Sequence, residues 1–307
     1  MKIDNFALTM FQACPAKFDL RILQGWTSRR RSGALGFGGA LHEGLATWYR
    51  TGDPSKAIKA VGDAWPLNLP IDDWRTKEKC LQTMLEYIKR YPREEFVVVG
   101  GTENPMVEVT FTVDTGMFLS CIECQAPWGG EEFGGLCQRC GKPLEPIEYG
   151  GIFDGIVQFG SSIYVLEHKT TSMLGQYYFD QFKPNNQVTG YVWGARKLSG
   201  QNVTGAIINA IGIYKSSTTK FERQITSRDD TNIAEWLENV RNVCEQIREC
   251  QVRQHWPMAT GSCTMYGKCE YHNVHVLNTN KERQKLLEQD YVKDEWKYEE
   301  RAGVKNE

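Results

Sequence analysis

Residues 5–20 read as a short helix that turns the apolar Phe6, Leu8, Met10 and Phe11 inward. Residues 38–50 repeat the pattern, with Leu41, Leu45 and Trp48 at helical spacing. Residues 72–91 predict another helix, stopped by Pro92. The pattern then changes to strands: Phe96–Val99, and Val107–Val113 with alternating character. Two apolar runs, Gly151–Phe159 and Ile163–His168, are joined by Gly160, Ser161 and Ser162, which predicts a β-hairpin. A helix from about Pro184 to Leu198 and a strand pair over 203–214 and 219–226 follow. In 230–252, Ile233, Trp236, Leu237, Val240, Val243 and Ile247 share one stripe of a strong helix. Residues 281–307 are more than half charged and read as a solvated helix or frayed tail. Residues 118–145 fit neither period; four cysteines and several glycines mark a small insertion between strands.

Strands interleaved with helices predict an α/β fold with a mixed central sheet and flanking helices. Lys plus Arg number 36 and Asp plus Glu 38, a net charge of −2, which excludes a generally basic nucleic-acid coat but not local basic patches. No stretch approaches the roughly 18–20 uncharged apolar residues of a membrane span. The first twenty residues lack an apolar signal core, so the expected location is intracellular, in the cytoplasm. In such a chain, ten cysteines point to metal ligands rather than disulfides.

The most informative stretch is Asp154, then the hairpin, then Glu167-His168-Lys169. Alternation puts Glu167 and Lys169 on one face, about 6–7 Å apart along the strand. Asp154 on the neighbouring strand can share that face. Two carboxylates with an ammonium beside them suit a hard cation such as Mg²⁺. A bare Glu-x-Lys triplet is more often only a solvated strand end. Here it closes an apolar run, where charges are costly unless paired or metal-bound.

These residues resemble the PD-(D/E)xK nucleases, specifically the RecB-like branch that includes phage exonucleases and CRISPR-associated adaptation exonucleases. Residues 38–43, with His42, look like that branch's Gly-x-x-x-His helix motif, and Gln187 to Tyr191 like its Gln-x-x-x-Tyr motif. Gln187 and Tyr191 are four apart and share a helix face. Glu108 looks like an accessory acid found on an earlier strand. The resemblance spans roughly residues 5–275, so a nuclease domain is expected over 1–280, with the 118–145 insertion inside it. It implies Asp154, Glu167 and Lys169 as the catalytic core, supported by Gln187 and Tyr191. Mg²⁺ or Mn²⁺ would be bound by His42, Asp154, Glu167 and the backbone carbonyl of His168. The proline that precedes the aspartate in the family's name is absent before Asp154.

Cys121-x2-Cys124 and Cys137-x2-Cys140 form two knuckles, the spacing of a structural tetrahedral zinc site. Such a ribbon could also present Trp128, Phe133, Arg139 and Lys142 to DNA or a partner. Cys14, Cys263 and Cys269 form a second group. In some RecB-like nucleases one N-terminal and three C-terminal cysteines hold a [4Fe–4S] cluster. This chain departs from that pattern at the fourth ligand, where His275 (or His272) follows Cys269. A cluster on three cysteines and His275 is expected, with Zn²⁺ at the same residues as the alternative. Cys80, Cys244 and Cys250 read as small apolar residues.

The expected function is a Mg²⁺- or Mn²⁺-dependent deoxyribonuclease, an exonuclease hydrolysing phosphodiester bonds at single-stranded DNA ends. Arg29, Arg30 and Arg31 would guide the strand and Thr170 and Thr171 would contact phosphate. Expected partners are DNA and proteins of phage replication, recombination and repair, or of CRISPR adaptation. The competing readings are a non-catalytic nucleic-acid-binding scaffold with the same fold, and a redox protein. The scaffold should have lost a site residue, and none is missing; the redox protein lacks a dinucleotide-binding glycine motif.

Overall fold

The computed structural model describes residues 1–29, 32–67, 73–124, 135–216, 218–265 and 267–299. In chain order the elements are β1 (Lys2–Asp4), α1 (Asn5–Ala13), α2 (Pro15–Phe18), β2 (Trp26–Ser28), α3 (Gly33–Thr51), α4 (Pro54–Asp63), α5 (Lys77–Arg90), β3 (Val97–Val98), β4 (Val107–Phe118), β5 (Pro146–Phe159) and β6 (Ser162–Thr171). There follow α6 (Asn186–Ser199), β7 (Val203–Gly212), β8 (Lys220–Ser227), α7 (Asp230–Arg253), α8 (His272–His275), α9 (Asn280–Asp290) and β9 (Tyr291–Lys293). This is the mixed α/β arrangement that the patterning predicts.

The chain divides into two compact units. One comprises residues 30–111 and 151–233, with 298–307. Its β5–β6 hairpin turns at Gly160, whose φ of +60° suits glycine. β6 and β7 are parallel, so the chain crosses over between them, and α6 is that crossover. β8 returns antiparallel to β7, and β3 and β4 pair with β5. α6 starts where Asn185 caps the N–H of Val188 (3.0 Å) and stops at the left-handed Gly200. α3 packs its Phe37, Leu41 and Leu45 against Val61, Met84 and Tyr87 of α4 and α5. α3 starts earlier than the periodicity alone shows, because Gly33 to Gly39 carry little apolar signal.

The other unit comprises 1–29, 112–150 and 234–297. The single helix expected over 5–20 is broken at Cys14, which is extended (φ −168°, ψ 108°) because Pro15 disfavours helix in the residue before it. Leu8, Met10 and Phe11 are buried as expected, but Phe6 is 40% exposed and lies against the Trp296 ring, 4.2 Å between centroids. α7 buries Trp236, Val240, Val243 and Ile247, with Trp236 edge-on to Tyr149. The charged C-terminal segment forms α9, capped by a Thr279–Glu282 box, and then β9, which pairs with β2. Among the described residues, no helix is long and apolar enough to cross a membrane.

Candidate active site and metal centres

Backbone pairing of β5 with β6 runs from Phe159↔Ser162 to Gly155↔Leu166 and ends there. One residue on, the Asp154 side chain takes over, its Oδ2 accepting the N–H of His168 at 2.6 Å. Its Oδ1 lies 3.2 Å from Nδ1 of His42 on α3. Glu108 completes the group: one ligand atom each of His42, Glu108 and Asp154 lie within 4.8 Å of one another. Glu108 has φ +53°, a left-handed conformation that costs a non-glycine residue about 1 kcal/mol or more. Its neighbours hold it there. Arg50 donates to the Val107 carbonyl (2.9 Å), and the Ile156 N–H donates to that of Met106 (2.9 Å). One imidazole and two carboxylates are a donor set that suits Mg²⁺ or Mn²⁺. A divalent cation there would neutralise charge on a phosphate and acidify a water.

Glu167 and Lys169 share a face of β6 as expected, joined at 2.6 Å. Gln187 of α6 ties both, accepting from Lys169 Nζ at 2.8 Å and donating to Glu167 Oε1 at 3.0 Å. Asp154 lies one residue beyond the last paired position, Gly155↔Leu166; it meets His42 of α3, and Glu167 meets Gln187 of α6. Glu167 lies outside the 4.8 Å group that Glu108 joins. Tyr191 packs edge-on to Phe111 and Phe153 (5.9 and 5.5 Å), and Gly151 leaves room for its ring. An extended residue directs its N–H and carbonyl to the same strand edge. The carbonyl of His168 is therefore turned toward the edge that carries Asp154.

Two features have no signal in the sequence. Tyr178, the first residue of a 3-10 helix (Tyr178–Phe182) after β6, has its phenol pKa raised by burial, opposed by a hydrogen bond to Thr171 and reinforced by nearby Glu167. A largely buried polar cluster of Tyr49, Tyr87, Glu94, Asn209 and Arg223 meets the His168 ring through Asn209 and Tyr49. Burial raises the pKa of both Tyr49 and Tyr87, so both phenols stay protonated. Burial works to lower that of Arg223, but Tyr87 and Glu94 outweigh it and the guanidinium stays charged.

The ribbon cysteines come together in the other unit. Sulfur separations are 3.5 Å for Cys121–Cys140 and Cys124–Cys137, and 3.8 Å for Cys124–Cys140. Four sulfurs at 2.3 Å from one tetrahedral ion would stand about 3.8 Å apart, so this cage fits a single Zn²⁺. Backbone N–H groups of the first knuckle push the Cys121 thiol down to about 6, and those of the second lower Cys137. Lys142 pairs with Glu123 (3.0 Å), and Arg139 donates to the Cys124 carbonyl. Trp128 and Phe133 lie outside the described residues, as do Arg30 and Arg31; the side chain of Arg29 donates to the Gln289 carbonyl.

The segments of the second cysteine group adjoin. Ser262 donates to the Ala13 carbonyl (2.7 Å), the Ala16 N–H to that of Pro257 (3.2 Å), and the Cys269 N–H to that of Cys263 (2.8 Å). Cys14, Cys263, Cys269 and His275 are nevertheless not drawn within single-ion distance of one another. Burial lowers the His275 pKa, helped by Arg283 and His272, so its imidazole is neutral. Cys80 and Cys244 are fully buried, their thiols pushed up to about 12, as befits apolar packing.

A sequence model of the PD-(D/E)XK nuclease superfamily matches residues 6–274, and the chain belongs to that superfamily. Among solved structures, the chain is similar to a protein of Eubacterium rectale provisionally named an exonuclease. The likeness covers 91% of this chain and 90% of that one, at TM-score 0.52 and 11% identity, a likeness of fold. No curated protein matches the chain.

Proposed function

We propose that this chain is a Mg²⁺- or Mn²⁺-dependent deoxyribonuclease that hydrolyses phosphodiester bonds at free, single-stranded DNA ends. The carrying observation is the His42, Glu108 and Asp154 group beside the Glu167–Lys169–Gln187 triangle. His42, Glu108, Asp154 and Glu167, with the carbonyl of His168, would hold the cation. Gln187 orients the ammonium of Lys169, which neutralises charge building on the phosphate oxygens. Glu167 keeps Lys169 from binding phosphate before the substrate arrives. Thr170 and Thr171 supply phosphate contacts, and Tyr191 keeps α6, and so Gln187, in place. Free ends and an intracellular role in phage-type recombination, replication or CRISPR adaptation follow from the RecB-like motifs.

We read the ribbon as a closed, stabilising Zn²⁺ site. At Cys14, Cys263, Cys269 and His275 we favour a four-iron cluster. What supports it is that the segments carrying these residues adjoin, with Ser262 hydrogen-bonded to Ala13 and Cys269 to Cys263. Anaerobically prepared protein should carry iron and sulfide; protein free of both would overturn that reading. The nuclease reading is tested by cleavage of end-labelled single- and double-stranded DNA with Mg²⁺, Mn²⁺ or EDTA, beside Asp154→Ala. Cation-dependent cleavage lost in the variant is expected. Folded, metal-loaded protein that cuts nothing would favour a binding scaffold instead.

A further inference from the structure

Strand register sets three residues in a row across the sheet: His168 on β6 opposite Asn209 on β7, and Asn209 opposite Arg223 on β8. All three side chains are joined. Arg223 pairs with Glu94 through two contacts, 2.7 and 3.1 Å, and each side chain is only 12% exposed. The guanidinium lies over the Tyr91 ring, 3.7 Å from its centre. Its Nε donates to Asn209 Oδ1 at 3.0 Å. A guanidinium only donates, so this contact demands the amide oxygen and fixes which way the amide faces. The amide nitrogen is left to face the Tyr87 hydroxyl (3.1 Å) and His168 Nδ1 (2.7 Å). That nitrogen also only donates, so His168 Nδ1 is an acceptor and its ring proton sits on Nε2. The same imidazole stacks on Tyr49 (5.5 Å, 4° between planes) and meets the His42 ring edge-on at 5.7 Å. The main-chain N–H of His168 holds Asp154.

We propose that Arg223, Glu94 and Asn209 form a positioning relay that sets His168 and, through it, the cation-binding geometry of His42 and Asp154. This rests on reading those two residues as metal ligands. A buried ion pair is a poor source of stability, since apolar residues of similar volume commonly serve as well. What the Glu94–Arg223 pair supplies is orientation, because the planar fork reaches Glu94, Tyr87 and Asn209 at once. Lysine could pair with Glu94 but could not hold the amide as well. None of the relay residues touches the position where a phosphate would react, so they are positioning residues.

The test is direct Mn²⁺ binding to the zinc-loaded full chain, without DNA, counting the binding lost in Asp154→Asn. Arg223→Lys and Asn209→Leu should each raise the Mn²⁺ dissociation constant about 10-fold, the low end for losing a partner that orients a ligand. KM for DNA should not move at saturating Mn²⁺. Ile247→Ala, a core deletion in the other unit, should lower stability and leave Mn²⁺ affinity unchanged. If Asn209→Leu does not fold, Arg223→Lys decides. An unchanged dissociation constant in folded Arg223→Lys would overturn the relay, as would an equal rise in Ile247→Ala. Wild-type protein that binds Mn²⁺ at Asp154 but cuts no DNA would sink the nuclease reading alone.

Discussion

Asp154→Asn should abolish stabilisation by Mn²⁺ while leaving the metal-free fold intact. Asp154 is 2% exposed, accepts the main-chain N–H of His168 and lies 3.2 Å from Nδ1 of His42. Asparagine has the same shape and can keep that bond through its oxygen. The bond changes from charge-assisted to neutral, a loss of about 1 kcal/mol. Against that, the variant removes a buried negative charge close to a second carboxylate, Glu108, and so relieves like-charge repulsion. The metal-free variant should therefore melt at or above the wild type. With Mn²⁺ at one hundred times its dissociation constant, the wild type gains about 2.7 kcal/mol. At roughly 2–4 °C per kcal/mol for a unit of 150–250 residues, that is a rise of about 5–11 °C. Thermal melts of zinc-loaded protein, with and without Mn²⁺, measure it on the transition of the unit that carries the site. An equal Mn²⁺ shift in the variant would place the cation elsewhere. A metal-free variant melting well below wild type would make Asp154 a structural residue.

Lys169→Ala should cut turnover about 10²–10³-fold, the usual loss on removing one group aimed at developing charge, and should keep the Mn²⁺ shift; unchanged cleavage would remove Lys169 from the mechanism. Glu108→Asn should weaken Mn²⁺ binding without lowering metal-free stability, because asparagine tolerates the left-handed φ of +53°; a folded variant with wild-type affinity would exclude Glu108 as a ligand. Cys121→Ser should lose the ribbon zinc and some stability, and full zinc content by elemental analysis would contradict the ribbon. Zinc competes with protons for all four ribbon thiolates; without metal Cys140 is pushed up to about 12 and Cys121 down to about 6, so apparent zinc affinity should fall as pH drops through neutrality and fall further once Cys121 protonates below about pH 6. An apparent zinc affinity that does not change with pH would show that thiolates are not its ligands.

Much of the fold is legible because each element carries its own period. The β5–β6 hairpin, the α6 crossover and the apolar stripe of α7 lie close to where the patterning puts them. The helix over 5–20 fails for a local reason that the sequence does contain: Pro15 forces Cys14 out of the helix. Phe6 fails for a distant one, since the Trp296 ring that covers it comes from the far end of the chain.

The site divides along the same line. Pairs set by one element's geometry can be read in advance: Glu167 with Lys169 on a strand, each Cys-x2-Cys on its own knuckle. Contacts between elements are legible only where a family motif marks their residues, as it does for His42, Glu108 and Gln187. Glu108 joins His42 and Asp154 because flanking carbonyls pin its backbone in a left-handed turn, and nothing in the side-chain pattern of β4 signals that. Asn209 reads as one polar position in an apolar strand, and Arg223 as an ordinary charge on an edge strand. Only the register makes them a row with His168, and shifting β7 by one residue would turn Asn209 to the opposite face and break it. The residues that do chemistry are thus carried by motifs. The residues that aim them are carried by pairing, and a register-preserving substitution such as Arg223→Lys separates the two contributions.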